Sequence, residues 1–319
     1  MRDIICIYHG NCADGFGAAW AVWKRCLDAK FHAGVYGEEP PDVKGKAVVL
    51  VDFSYSPDVL AKMSETAASI LILDHHKSTI EAITSCERIG SHPPINAGKR
   101  CPTFEQYRQQ VLQDEYENVR CPVYYLFDMD RSGAMIAYEF FHSNDRIPQL
   151  IHHIQDRDLW LFKIGRTREV QANLFSHPYD FKVWDDLMFR LDDPDEHMKF
   201  VAGGIAIERK HLKDVEELVN ATKREMCIGG YWVWVANLPY TMASDACHLM
   251  CKMDMYPKGS GELTTTPPFA ASYYDKPDGR VFSLRSIGDF DVSEIAKKYG
   301  GGGHKNAAGF TVPIGWCGD

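Results

Sequence analysis

The 319-residue sequence predicts an α/β protein: a domain on a mostly parallel five-stranded sheet, a helical linker, then a smaller α/β domain. Three observations lead there. Short apolar runs such as Ile70-Leu71-Ile72-Leu73 alternate with Ala-rich or amphipathic segments. That is the rhythm of strands buried on both faces and joined by crossover helices. Three of the runs end in the same kind of residue, acids and histidines. Finally, a long charged stretch precedes a second set of strand-like segments, and the length suits two domains of about 150 residues each.

Asp3 to Tyr8 is the first strand and leads into His9-Gly10-Asn11-Cys12-Ala13-Asp14-Gly15. Residues 16–27 are Ala-rich and predict a buried helix, with Trp20 and Trp23 at helical spacing as core. Phe31 to Tyr36 is a second strand. Ala47 to Phe53 is a third and carries Asp52 at its end. Ser56-Pro57 is an N-cap followed by proline at N1, opening a helix through Ala67. Ser69 to Asp74 is the fourth strand, followed by His75, His76 and Lys77.

Residues 86–122 break the pattern. Prolines punctuate them, and Phe104 to Glu117 is a polar stretch of helical character. The simplest reading is a solvated insertion, with a lid or a partner surface as alternatives. Val123 to Phe127 is the fifth strand, and Ser132-Gly133-Ala134 opens a helix through Phe141. The helix from Ile147 to Ile154 ends in Gln155-Asp156-Arg157-Asp158-Leu159-Trp160, whose acids serve a local turn, pair with Arg157, or face inward. Residues 167–190 are helical but irregular. Asp195 to Met226 is one long charged helix with an apolar stripe, Val201, Ile205, Leu212, Val215, Leu218 and Val219. The expected boundaries are therefore 1–190, a linker helix over 191–226, and 227–319.

In the second domain, Tyr231 to Val235, Phe269 to Tyr274 and Val281 to Arg285 are strands, the last two joined by the turn at Lys276-Pro277-Asp278-Gly279. Asp291 to Tyr299 is a short helix. Gly300-Gly301-Gly302-Gly303-His304-Lys305 follows. Four glycines let the backbone turn tightly and bring N–H groups to an anion, and His304 and Lys305 add charged donors. Cys247 and Cys251 are spaced to share a helix face and are read as buried small residues in preference to a metal pair.

Hydrophobic content of 45% and charged content of 25% are ordinary for a globular protein. The net charge of −9 argues against a broad electrostatic binder of long duplex nucleic acid. The chain opens directly into a strand without a signal-peptide pattern, and no apolar run reaches the ~18 residues of a membrane span. A cytoplasmic protein with reduced thiols is expected.

Ligand sites in open α/β sheets lie past the carboxyl ends of the strands. Three strands therefore deliver His9, Asp14, Asp52, His75 and His76 to one edge. Taken singly, each is a polar turn after a core strand. Together they are carboxylates and imidazoles that repel or titrate unless a divalent cation joins them.

These residues resemble the DHH phosphoesterases that end in a DHHA1 domain. The resemblance rests on Asp74-His75-His76, on His9 with Asp14-Gly15, on Asp52, and on Gly301-Gly302-Gly303-His304 with Ala307-Ala308-Gly309-Phe310. It covers most of the chain apart from about 86–122. It implies metal ligands at His9, Asp14, Asp52, His75 and Asp156, with Asp52 bridging two ions. It places His76 at the scissile phosphate, with Asp74 orienting a histidine from behind. It gives Arg285, Gly302, Gly303 and His304 to substrate binding. Mn²⁺ is the implied ion, with Mg²⁺, Co²⁺ or Zn²⁺ as alternatives. The implied substrate is a short oligonucleotide or small nucleotide. A homodimer is left open. One position departs from the family's usual Asp-x-Asp-Gly: this chain has Cys12-Ala13-Asp14-Gly15, so Cys12 either ligates as thiolate or one ion is weakened or lost. Two further readings accompany the phosphoesterase one, a pyrophosphatase-like hydrolase and a nucleotide-binding sensor with degraded catalysis.

Overall fold

The computed structural model describes residues 3–77, 79, 103–117, 121–255 and 266–319. The chain divides into two compact units, Met1–Glu208 and Arg209–Asp319.

The first unit contains β1 (Ile4–His9), α1 (Ala13–Arg25), β2 (Lys30–Gly34), β3 (Ala47–Val51), α2 (Pro57–Ser64), β4 (Ser69–Asp74), α3 (Phe104–Tyr116), β5 (Val123–Phe127), α4 (Gly133–Phe141), α5 (Gln149–Asp158), α6 (Thr167–Leu174) and α7 (Phe181–Asp192). The long helix α8 (Pro194–Thr222) begins in this unit and ends in the next. The five strands form one sheet in the order β2-β1-β3-β4-β5, and every neighbouring pair is parallel. The chain leaves β1 toward one side and later resumes at β3 on the other. That reversal opens a crevice between the carboxyl ends of β1 and β3.

Alternate residues of the strands face alternate layers. Cys6, Val49, Leu71 and Leu126 pack against α1, α4, α5 and α7. Ile7, Val48, Leu50, Ile70 and Ile72 pack on the opposite face with Leu60 and Met63 of α2. All six residues of β4 are buried. Each of its aliphatic side chains stabilises the fold by about 1.5–3 kcal/mol.

The described part of segment 86–122 corrects the reading of a solvated insertion. Phe104 and Tyr107 of α3 belong to the main core. Their rings meet Phe141 at 4.8 Å and Tyr124 at 5.2 Å between centroids. Buried Asp114 accepts a hydrogen bond from the Tyr124 hydroxyl. The apolar anchors are few and sit at one end of a polar helix, which hides its docking face in the sequence. Residues 80–102, which belong mostly to that segment, lie outside the described residues.

The second unit contains β6 (Arg224–Ile228), β7 (Tyr231–Asn237), α9 (Ala243–Met250), β8 (Phe269–Lys276), β9 (Gly279–Ser286), α10 (Val292–Lys298), β10 (Gly302–His304) and β11 (Ala307–Val312). Its sheet runs β10-β11-β9-β8-β7-β6. Among the described strands of this sheet, only β7 and β8 pair in parallel. One face packs on α10 through Phe282, Leu284, Phe310 and Ile295. The other packs on α9 and the last turns of α8 through Ala270, Ala246, Val215 and Val219. Cys247 and Cys251 are buried here, their thiols donating to the carbonyls of Ser283 and Arg285. The glycine run forms strand β10 of a tight hairpin. A Cβ at Gly301 would lie 2.1 Å from the Gly309 carbonyl oxygen, so only glycine lets the two strands meet there.

Candidate functional site

His9 is the last residue of β1, Asp52 follows β3, and His75 and His76 follow β4. In a parallel sheet these ends lie side by side, and three loops bring their side chains together. The backbone at Asp52 is left-handed, with φ of 53°. A non-glycine residue rarely adopts this conformation without a reason in the surroundings. Here the Asp52 N–H donates to the Leu73 carbonyl at 2.9 Å, and Gly133 makes room for the side chain. A Cβ on Gly133 would lie 2.5 Å from the Asp52 Cβ.

Asp14 is the second residue of α1, and its two oxygens accept from the N–H groups of Gly133 at 2.6 Å and Ala134 at 2.9 Å. A buried carboxylate thus caps the positive end of α4. Gly15 lets α1 begin against the end of β1, where a Cβ would lie 2.4 Å from the His9 carbonyl oxygen.

His75 Nε2 lies 3.1 Å from Asp52 Oδ1 and 3.6 Å from both Asp14 Oδ2 and Asp158 Oδ2. His9 Nδ1 lies 3.5 Å from Asp52 Oδ2. His76 Nδ1 lies 2.6 Å from Asp74 Oδ1, which also accepts from the backbone N–H groups of His75 and His76. Among the described residues of the first unit, three sets have ligand atoms within 4.8 Å of one another: His9, Cys12 and Asp52; Asp14, His75 and Asp158; Asp52, Asp74 and His76.

The structure brings His9, Cys12, Asp14, Asp52, Asp74, His75 and His76 to one place. It does not bring Asp156. That carboxylate accepts from the backbone N–H of Lys163 at 2.8 Å, that of Ile164 at 3.1 Å and the Thr167 hydroxyl at 2.6 Å. It holds the loop between α5 and α6. Asp158, two residues on, stands at the cluster. On a helix two residues are separated by about 200°, so the two acids face nearly opposite ways. The place at the cluster expected for Asp156 is therefore taken by Asp158. The sequence carried a partial signal for it, since the acids occur as Asp156-Arg157-Asp158. It gave no signal for the space that Gly133 leaves to Asp52.

Burial pushes Asp14 well above the usual carboxylate range, and Asp52 and Asp158 add repulsion. Burial also opposes the charge on Asp52, but hydrogen bonds from His75 and His9 outweigh it and hold that carboxyl well below its usual range. Burial works against His9 and His75 as well. Asp52 leads the groups that overcome it, raising His9 to about 11 and His75 to about 10. His76 is raised too, because Asp74 more than offsets burial. Burial pushes the Cys12 thiol up, and its hydrogen bond with His9 pulls it back.

These residues fit a divalent cation. Asp74 Oδ2 is a buried side-chain oxygen with no hydrogen-bond partner. Such an atom costs about 1–3 kcal/mol unless something pairs with it. The donors are carboxylates, imidazoles and one thiol, the ligands of first-row divalent metals.

In the second unit, His304 pairs across the sheet with Ala307, Ala307 with Arg285, and Arg285 with Ala270. Directly paired residues share a face, so His304 and Arg285 stand on the same side, two strands or roughly 10 Å apart. Small alanines lie between and beside them. The Arg285 guanidinium donates to the Ser244 hydroxyl at 3.0 Å. Gly303 has φ of 143° and a Cβ there would meet the Ala307 carbonyl oxygen at 2.5 Å, whereas a Cβ on Gly302 would meet nothing within 4 Å. No described helix is long and apolar enough to cross a membrane.

Residues 264–315 match the family model described as the DHHA1 domain. An uncharacterized protein, R106, of Acanthamoeba polyphaga mimivirus is 25% identical over 330 residues, covering 97% of this chain and 67% of that one. A solved DHH domain, from a protein described as a member of a family of ribosomal proteins, superposes with a TM-score of 0.52 at 14% identity, covering 97% of this chain and 82% of that one. That likeness is one of fold. A pGpG-specific phosphodiesterase, PggH, of Vibrio cholerae aligns over 98% of this chain and 94% of its own at 11% identity, with a TM-score of 0.36.

Proposed function

We propose, from the DHHA1 match at residues 264–315 and the metal-ligand cluster of the first unit, that this protein is a metal-dependent phosphoesterase of the DHH/DHHA1 kind. Its substrate is a short oligonucleotide or a small nucleotide, cleaved at a phosphodiester or phosphomonoester bond. One observation carries the reading: a largely buried acid–imidazole cluster at the carboxyl edge of the parallel sheet, with a buried Asp74 oxygen that no hydrogen bond satisfies. Asp14, His75 and Asp158 would hold one divalent ion, and His9 and Asp52, with Cys12, a second. Mn²⁺ suits the oxygen-rich first group. When bound, such ions supply Lewis acidity to a phosphoryl oxygen and acidify the attacking water.

The chain's own groups do the rest. Asp74 fixes the His76 ring through Nδ1 and favours its protonated form. A protonated imidazole at this edge donates to charge developing on a phosphoryl oxygen. Asp14 and Asp158 orient His75 from two sides. In the C-terminal unit, Arg285 and His304 on one sheet face, with the open backbone at Gly302, suit the phosphate and base of a nucleotide.

The test is a Mn²⁺ assay, with an EDTA control, on an RNA trimer, linear and cyclic dinucleotides, 3′-phosphoadenosine 5′-phosphate and pyrophosphate. Metal-dependent cleavage of a nucleotide supports the reading. Cleavage of pyrophosphate alone replaces it with a phosphoanhydride hydrolase. Nucleotide binding without product favours the sensor reading that Cys12 motivates.

A further inference from the structure

We propose that His9, Cys12 and Asp52 form a thiolate-bearing site that takes zinc, beside the oxygen-rich Asp14–His75–Asp158 group that takes manganese. The inference rests on the metal-dependent reading above and adds that the two positions prefer different ions. The three ligand atoms lie within 4.8 Å of one another. Cys12 is the N-cap residue of α1, a helix of 13 residues, and makes no side-chain capping bond there. The helix N-terminus stabilises a thiolate placed on it. Asp52 is 1% exposed, and its Oδ2 lies 3.5 Å from His9 Nδ1. A buried acid with an imidazole and a thiol beside it is a ready donor set.

The chemistry of the donors then divides the two positions. One sulfur, one imidazole nitrogen and one carboxylate oxygen are the ligands of Zn²⁺, which accepts four-coordinate sites of mixed N, O and S donors. Two carboxylates and an imidazole suit the harder Mn²⁺. On coordination the Cys12 thiol gives its proton to solvent, and the sulfur lone pair makes the bond to the ion. No electron changes hands.

The experiment uses the full chain, freed of metal with EDTA, and titrates Co²⁺ as a spectroscopic stand-in for zinc. A sulfur-to-cobalt charge-transfer band in the near ultraviolet is expected. Zn²⁺ abolishes it and Mn²⁺ does not. Cys12→Ser, which leaves a good N-cap residue in place, loses the band. Cys12→Asp also lacks it and admits Mn²⁺ at both positions. Absence of the band in the unmodified protein, or its persistence in Cys12→Ser, overturns the proposal. Mn²⁺ binding is followed separately by electron paramagnetic resonance. Manganese bound without the cobalt band overturns the mixed site and leaves the metal-dependent reading standing. A protein that binds neither ion overturns both.

Discussion

His75 Nε2 lies 3.1 Å from Asp52 Oδ1, while the other oxygen of the same carboxylate lies 3.5 Å from His9 Nδ1. One acid stands between two histidines that come from different strands. Asp52→Asn tests it cleanly, because asparagine tolerates left-handed backbone and only the charge is lost. The variant should fold, with an unchanged circular dichroism spectrum. The wild type should gain about 2.7 kcal/mol of stability at Zn²⁺ a hundredfold above its Kd, and the variant almost none. Turnover should fall about a thousandfold, or about 4 kcal/mol in the barrier. A variant still stabilised by Zn²⁺ counts against Asp52 as a ligand.

The metal-free cluster stores its positive charge as protons. With His9 raised to about 11 and His75 to about 10, both rings are protonated at neutral pH. A ring nitrogen must be bare to hold an ion, so each ring gives up about one proton on binding, in addition to the proton of Cys12, and apparent metal affinity rises with pH. Calorimetric titration in two buffers of different ionisation enthalpy measures this. Identical heats in both buffers would exclude these rings as ligands.

Asp156 and Asp158 should separate stability from metal binding. Asp156→Asn weakens three charge-assisted hydrogen bonds that hold the loop after α5, a loss of about 2 kcal/mol or more by the usual worth of such bonds. It should lower the urea midpoint and leave Mn²⁺ affinity nearly intact. Asp158→Asn should do the reverse. Interchanged results would return the ligand role to Asp156.

His153 gives an acid-side signature. Burial lowers its pKa from 6.5 to about 4, with His197 adding to the effect. Between those values the unfolded chain binds a proton that the folded chain does not. This histidine's contribution to stability is therefore complete above pH 6.5 and is lost as the pH falls toward 4. The urea midpoint of the wild type, less that of His153→Gln, should shrink through that window. A difference flat with pH would mean that His153 is not held neutral.

The glycine run of the C-terminal unit predicts two classes of variant. Gly301→Ala and Gly303→Ala place a methyl against backbone atoms 2.1 and 2.5 Å away and should destabilise the hairpin. Gly302→Ala meets nothing within 4 Å and should leave the melting temperature unchanged. Weaker nucleotide binding by Gly302→Ala, followed by fluorescence titration, is expected if the open side receives substrate. Unchanged binding removes Gly302 from the binding surface.

The parallel sheet was legible because β4 and its neighbours are apolar throughout, a pattern that only burial on both faces tolerates. The gathering of His9, Asp52 and His75 followed from the same fact, since their strands end at one edge. The part that escaped depends on angle and backbone. Asp156 and Asp158 look equivalent in a linear motif, and only the helix that carries them separates their directions. Strands β6 and β10 escaped because pairing uses backbone groups, so the glycines of Gly302-Gly303 pair across the hairpin without any side-chain pattern. The docking face of α3 escaped because two aromatic anchors, Phe104 and Tyr107, are too few to set a period.

The contact between Gly133 and Asp52 has a consequence for descent. Any side chain at 133 would collide with the acid, which is itself seated on backbone that few residues accept. Neither position can change first without damage, so their mutational effects are non-additive. A lineage that keeps the acid keeps the glycine, and one that abandons the chemistry frees both positions together. Among divergent copies of this protein, the two should be retained or lost as a pair.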